Sequence, residues 1–84
     1  MNVEEIQNFL DKHELPKGKY LKIQFKKRDA IFGLFVKDRD YNDLKSKNFW
    51  RIVTFTHLEE FNKSNNVNLA KIFSGSEFSR LSVV

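Results

Sequence analysis

Apolar residues near the start of the chain recur at helical spacing. Four of them fall on one side of a helix with 3.6 residues per turn: Val3, Ile6, Phe9 and Leu10. Asn2, followed three positions later by Glu5, resembles an N-cap with a partial capping box. Pro16 and Gly18 interrupt the pattern. The spacing predicts one helix over about residues 3–14, with an apolar stripe that can cover an open end of a sheet.

From Tyr20 onward the apolar period changes to two, which is typical of a half-buried strand. The apolar set is Leu21, Ile23 and Phe25, and the polar set is Lys22, Gln24 and Lys26. Residues 27–29 are polar and predict a turn, after which residues 30–36 are apolar on both faces. Gly33 lies in the middle of this second strand, where a glycine marks a sharp bend or the close approach of another backbone.

A third strand is predicted between two polar stretches. Residues 38–48 predict a polar loop, and residues 49–55 consist largely of strong β-formers. Residues 56–66 predict a second polar excursion. Thr56 and Glu59 can cap a single helical turn there, whereas residues 63–66 have the composition of a loop.

The C-terminal region predicts a strand, a tight turn and a second strand. Its bulky positions do not keep the step of two that a continuous strand requires: Phe73, Phe78 and Leu81, with Gly75 between the first two. Glycine can adopt a positive φ at low cost, so we expect Gly75 to form the turn. The fourth strand is predicted over about residues 67–73 and the fifth over 78–84.

The whole pattern predicts a mostly β chain, with one N-terminal helix followed by five short antiparallel strands. At 84 residues, we expect one domain over residues 1–84. Cysteine is absent, which excludes disulfides and thiolate metal sites and fits a reducing compartment. The first residues are unlike a secretory signal, and the longest apolar run, residues 30–36, is far below the ~20 residues of a membrane helix. These features favour a soluble, cytoplasmic protein without a membrane partner.

Charge and aromatic content change this picture in two ways. The net charge of +4 is mild for a nucleic-acid binder, although the pI of about 9.5 is within the expected range. Nine phenylalanines and one tryptophan are many for so short a chain. This excess indicates an apolar surface that another subunit covers.

Two motifs of the chain resemble the Sm and Sm-like family of small β-barrels. The first is the alternating strand of residues 21–25, followed by the apolar-x-Gly-x-apolar segment 31–35 and by Asn42 in the next loop. The second is the spacing of four positions near the C-terminus: Phe73, Gly75, Phe78 and Leu81. The order of the motifs and the preceding helix also agree with the family.

The resemblance implies a strongly bent, five-stranded antiparallel barrel of SH3-like type over about residues 19–84. It also implies RNA binding by an oligomer. The departures fall in the family's RNA-contacting positions: Asp40 stands where many members carry a base-stacking side chain, and Ser74 replaces the arginine before the glycine. Tyr41 is adjacent to the first of these positions and is the aromatic residue that could stack on a base.

Catalysis and metal binding have weak sequence support. His13 and His57 are the two histidines, and neither has carboxylates at regular ligand spacing. Glu59 and Glu60, like the aspartates near Asn42, lie in strongly polar segments, where solvated charge is a better interpretation than acid–base chemistry. We therefore expect no enzyme activity, no metal and no cofactor.

The candidate RNA-binding residues are Tyr41, Asn42, Lys45, Lys47, Ser74 and Gly75. Gly33 and Gly75 are also interpreted as glycines required by backbone geometry. Basic residues of the first hairpin could add phosphate contacts if a ring of subunits repeats them: Lys22, Lys26, Lys27 and Arg28. Two hypotheses remain open: non-catalytic binding of single-stranded RNA by an oligomer, and a protein-interaction or assembly module without RNA binding.

Overall fold

A computed structural model describes residues 1–13 and 19–84 of the chain. The helices are α1 (Val3–Lys12), α2 (Tyr41–Ser46) and α3 (Phe55–Ser64). The strands are β1 (Leu21–Phe25), β2 (Ile31–Phe35), β3 (Phe49–Thr54), β4 (Lys71–Ser74) and β5 (Phe78–Val83). Two short 3-10 turns, Val67–Leu69 and Gly75–Glu77, precede and follow β4. The predicted N-terminal helix and five antiparallel strands are confirmed.

The start of α1 is determined by a capping box between the N-cap residue Asn2 and Glu5. Asn2 Oδ1 accepts a hydrogen bond from the backbone N–H of Glu5 at 2.8 Å, and Glu5 Oε1 accepts one from the N–H of Asn2 at 3.0 Å. This complete capping box satisfies two N–H groups that have no partner inside the helix. The predicted helix end at residue 14, together with Pro16 and Gly18, lies outside the described residues.

The five strands form one antiparallel sheet in the order β4-β3-β2-β1-β5. The outermost strands, β4 and β5, are consecutive in the chain and are joined by the three-residue turn Gly75–Glu77. Outer strands of a flat five-stranded sheet would be about 19 Å apart, whereas a 3-10 turn advances only about 2 Å per residue. The sheet must therefore bend strongly. It is not closed into a barrel, because within the described residues no ladder pairs β4 with β5.

The two faces of the sheet support two separate clusters. The inner cluster contains the largest buried side chains and lies under α1: Ile6, Ile23, Phe25, Trp50, Ile52, Phe78 and Leu81. The outer cluster lies under α3 and consists of Val36, Val53 and Leu58, with Leu34 and Phe61 packed against it. Alternation along β3 explains this division, since Trp50 and Ile52 face inward and Val53 faces outward.

The prediction of a mostly β fold is wrong, because the described chain is a mixed α/β fold with two helices that the polar pattern did not predict. Residues 41–46 were expected in a loop and form α2, and residues 56–64 were expected in a polar excursion and belong to the ten-residue α3. The apolar face of α3 rests on few residues, mainly Leu58 and Phe61. Its other positions face solvent and mask the helical period.

Gly33 of β2 lies against the neighbouring strand. A Cβ at this position would meet the carbonyl oxygen of Val53 and approach Ile52 Cγ2 to 3.1 Å. Only glycine lets β3 pass this closely.

Candidate functional site

The two loop regions predicted to bind RNA meet at Asn48. The backbone N–H of Gly75 donates to the carbonyl of Asn48 at 2.8 Å, which joins the turn after β4 to the segment that follows α2. Asn48 Oδ1 accepts from Trp50 Nε1 at 2.8 Å, and its Nδ2 donates to the carbonyl of Met1 at 3.0 Å. Asn48 adopts a left-handed φ of 61°, which asparagine tolerates better than most residues. Long-range contacts thus hold this junction.

The Tyr41 side chain packs between α1 and β3. Its hydroxyl donates to Gln7 Oε1 at 2.8 Å, and its ring meets Trp50 edge-on with centroids 6.0 Å apart. Burial raises the pKa of Tyr41 above its ordinary value, as does the charge of Asp11, while the hydrogen bond with Gln7 acts in the opposite direction. The Tyr41 ring is therefore half-buried and already makes an aromatic contact with Trp50.

The other candidates of the first loop lie on or next to α2. Asn42 and Lys47 are exposed, and Lys45 is half-buried. Asn42 and Lys45 are three positions apart on α2 and therefore share one side of that helix. Lys47 follows the helix and precedes Asn48. Lys47 thus immediately precedes the residue that contacts the Gly75 turn, whereas Asn42 and Lys45 lie on α2.

Ser74 is the last residue of β4, and Gly75 begins the turn that follows it. Ser74 Oγ lies 2.7 Å from Ser76 Oγ, with either hydroxyl able to donate. Gly75 is buried, and a Cβ there would contact Asn48 Oδ1, Ile6 Cδ1 at 2.6 Å and Trp50 Nε1 at 2.7 Å. Gly75 does not adopt the positive φ expected from the sequence. Glycine is required there because no space exists for a side chain.

The aspartates before Tyr41 form an ion pair with β3. The Arg51 guanidinium contacts the Asp40 carboxylate and lies 3.8 Å from Asp38 Oδ2. The Arg51 side chain is only 19% exposed. This pairing anchors the segment between β2 and α2 to the sheet and gives these carboxylates a structural role.

A groove lies on the other side of the Gly75 turn, between that turn and the polar turn that joins β1 to β2. It has a volume of about 330 Å³ and is lined by Phe25, Lys26, Lys27, Arg28, Ser76 and Glu77. We call it the basic groove. The backbone N–H of Lys26 donates to the carbonyl of Glu77 at 2.9 Å and holds the two turns together. The basic run was visible in the sequence, but its juxtaposition with residues 76–77 was not.

Aromatic rings support the basic groove. The Arg28 guanidinium carbon lies 4.9 Å above the centroid of the Phe25 ring and 5.9 Å from that of Phe73. Cation–π attraction thus holds an exposed arginine in place. Among residues 1–13 and 19–84, no carboxylate lies within ion-pair distance of Lys26, Lys27 or Arg28.

Three exposed or half-exposed aromatic residues form a patch on the outer face of the sheet. The Tyr20 ring lies 6.1 Å from that of Phe32 and 5.2 Å from that of Phe55. Phe55, at the start of α3, is 57% exposed. We call Tyr20, Phe32 and Phe55 the aromatic patch.

Within the described part of the chain, no three histidine, cysteine, aspartate or glutamate residues are close enough to hold a metal ion. None of the described helices has the length and apolar character needed to cross a bilayer.

Comparison of the chain with protein-family models, curated proteins and solved structures gives no match. The candidate site therefore stands on the geometry of the chain alone.

Proposed function

We propose that this chain is a divergent Sm-like protein that binds single-stranded RNA as an oligomer and without catalysis. The observation that carries this proposal is the topology: a leading helix, then a bent sheet whose outer strands β4 and β5 are consecutive and joined by a turn at Gly75. The two motifs that resemble the family supply β1, β2 and this turn. The proposed fold is thus a strongly bent, Sm-like arrangement of five strands.

Charge and loop chemistry support RNA as the ligand. Lys45 and Lys47 follow the candidate loop, and three further basic side chains line the basic groove on the other side of the Gly75 turn. Backbone phosphates attract such side chains without sequence preference. Tyr41 supports the site by positioning α2 against Gln7 and Trp50, whereas Asn42 is the exposed polar side chain that can contact a base.

The open sheet edges support an oligomer. Among the described residues, strands β4 and β5 each have a neighbouring strand on one side only, so each presents backbone N–H and C=O groups on its other side. Ile72 on β4 and Val83 on β5 are 51% and 48% exposed. Pairing of β4 in one copy with β5 in the next is a heterologous contact, and such contacts generate rings when the rotation closes.

The test is a fluorescence anisotropy titration of the purified protein with labelled single-stranded RNA at two salt concentrations, after its mass is determined by light scattering. We expect a multimer whose RNA affinity falls steeply with salt. The Lys45→Gln/Lys47→Gln variant should bind more weakly than a control with the same loss of charge outside the site, Lys12→Gln/Lys63→Gln. A protein with no RNA affinity at low salt contradicts the proposal.

The aromatic patch favours a second candidate function, that of a protein-interaction module. Tyr20, Phe32 and Phe55 place contiguous aromatic surface in solvent, as expected where another protein binds. The two functions differ in their response to one variant. Phe55→Ser should leave RNA binding unchanged if RNA is the ligand, and it should abolish recovery of a partner complex if the patch is the functional surface.

A further inference from the structure

We propose that the basic groove is a nucleotide-binding site, in which Lys26, Lys27 and Ser76 hold a phosphate and Arg28 stacks on the base. The inference rests on the proposed function in taking the nucleotide as one unit of an RNA strand. It adds to the site of Lys45 and Lys47 a second RNA-contacting surface, formed by residues 26–28 and 76–77.

The charge of the basic groove favours a phosphate ligand. The groove places Lys26, Lys27 and Arg28 beside one carboxylate, that of Glu77. None of the three cations has a carboxylate within ion-pair distance among the described residues. A phosphate is a ligand whose charge matches such a surface, and lysines bind it as compact point charges.

The hydroxyl groups at the rim of the basic groove also favour a phosphate ligand. Ser76 Oγ lies 2.7 Å from Ser74 Oγ. When Ser74 donates in this pair, the Ser76 hydroxyl keeps its own proton free to donate to a phosphate oxygen, because a hydroxyl accepts and donates at once.

The position of Arg28 favours a base as part of the ligand. Its guanidinium carbon lies 4.9 Å from the centroid of the Phe25 ring and 5.9 Å from that of Phe73, and Arg28 is exposed. Unstacked RNA bases stack on aromatic rings and on guanidinium planes alike. Arg28 therefore presents a positioned surface for a base beside the two lysines.

The basic groove is preorganised for a ligand. The hydrogen bond from Lys26 N–H to the Glu77 carbonyl and the pairing of Phe25 with Phe78 join the two walls of the groove before any ligand binds. Their separation is thus determined by the sheet and needs no reordering of loops, which reduces the entropic cost of binding.

A bound RNA strand can continue from the groove along the outward face of β1 and β5. Lys22 and Gln24 alternate with the buried positions of β1, and Arg80 pairs with Gln24 in the ladder. Lys22 and Arg80 thus extend the positive surface beyond a single nucleotide, as expected for a site that tracks a nucleic-acid backbone.

The test compares two glutamine variants with the wild type in the salt-dependent RNA titration. Lys26→Gln/Lys27→Gln removes charge from the groove and keeps part of each side-chain stem, and Lys12→Gln/Lys63→Gln is the control with the same loss of charge outside both candidate surfaces. We expect the groove variant to bind more weakly at every salt concentration. The slope of log affinity against log salt should fall by about 0.7, the value for one lost phosphate contact to a single strand. Urea unfolding of each variant establishes that the fold is retained.

A second experiment detects ligand binding at the basic groove directly. Titration of ¹⁵N-labelled protein with uridine 5′-monophosphate should shift the amide signals of residues 26–28 and 75–77, and inorganic phosphate should shift the same set with lower affinity. Arg28→Lys keeps the charge and loses the planar stacking surface. This variant should bring the affinity for the nucleotide down to that for phosphate.

The outcomes separate this inference from the proposed function. If the wild type binds RNA and the groove variant binds equally well, the groove inference is overturned and the RNA function stands. Equal losses in the groove and control variants also overturn it, because the binding is then diffuse. A wild type without RNA affinity overturns both proposals.

Discussion

At the scale of single residues, Gly75 lies where side chains from three elements converge. Ile6 comes from α1, Asn48 from the segment after α2, and Trp50 from β3. The carbonyl of Gly75 also accepts a hydrogen bond from the amino group of Met1 at 3.0 Å. A small residue at this point lets the helix, the sheet and the turn pack together.

Gly75→Ala should therefore destabilise the fold by overpacking. The added methyl group would approach Ile6 Cδ1 and Trp50 Nε1 to 2.6 and 2.7 Å, and such insertions cost about 1–3 kcal/mol. Urea unfolding measures the change. Ser79→Ala, at an exposed position of β5, is the control and should stay within about 0.5 kcal/mol of the wild type. An alanine variant as stable as the wild type would show that the surrounding side chains move aside.

The raised pKa of Tyr41 predicts that the protein loses stability at alkaline pH. Burial and Asp11 raise its pKa in the folded state above the ordinary value of 10.0. Above pH 10 the unfolded chain then loses the phenolic proton while the folded chain keeps it, so the unfolding free energy falls as pH rises through the raised pKa. Urea unfolding from about pH 8 to about pH 11 should show this decline in the wild type and a smaller one in Tyr41→Phe. Parallel curves for the two proteins would contradict the assignment.

At the scale of elements, α3 shows how a helix forms from a largely polar segment. Leu58 and Phe61 pack on the outer face of the sheet, and Lys63 pairs with Glu59 at 3.4 Å on the solvent side. The helix ends at Asn65, whose φ of 53° is left-handed and whose N–H donates to the Phe61 carbonyl at 2.7 Å. This ending is a common way to satisfy the last carbonyls of a helix.

The left-handed end of α3 predicts opposite effects for two substitutions. Asn65→Gly should stabilise the protein by up to about 1 kcal/mol, because glycine adopts a positive φ without steric cost. Asn65→Ala should destabilise it by about 1 kcal/mol, because alanine lacks the local hydrogen bonds that let asparagine adopt this conformation. Thermal and urea unfolding of the pair measure both signs. Equal stability of the two variants would be inconsistent with a left-handed residue at this position.

The elements differ in how far the sequence predicted them. Helix α1 and strand β1 were predicted from period alone, because each buries one face and exposes the other. Helix α2 was missed, since its six residues hold few apolar positions and its segment is anchored by the ion pair between Arg51 and Asp40. The information that makes residues 41–46 helical thus lies partly in β3.

At the scale of the whole molecule, the open edges of the sheet predict how copies associate. Ile72→Lys places a charge on the exposed side of β4, where lysine opposes edge-to-edge pairing. Light scattering should then show a lower mass than for the wild type. Phe55→Lys is the control, because Phe55 is similarly exposed but lies on α3 away from both edges. Dissociation by Phe55→Lys and not by Ile72→Lys would assign the interface to the aromatic patch.

The candidate site was predicted only in part, for reasons visible in its residues. The sequence placed Asn42, Lys47 and Ser74 in two loops, and the Gly75–Asn48 hydrogen bond brings those loops together. The burial of Tyr41 depends on Gln7, which lies 34 positions earlier in the chain. No local pattern carries a contact of that separation.

The sequence by itself determined the local features of this protein: the apolar stripe of α1 and the alternation along β1. Local period is sufficient for these, because neighbouring positions along the chain decide them. Only the tertiary structure decided that the turn at residues 26–28 faces Ser76, and that β4 and β5 form the two edges of the sheet without pairing with each other among the described residues. Such juxtapositions depend on how strongly the sheet bends, and the bend results from packing between distant residues.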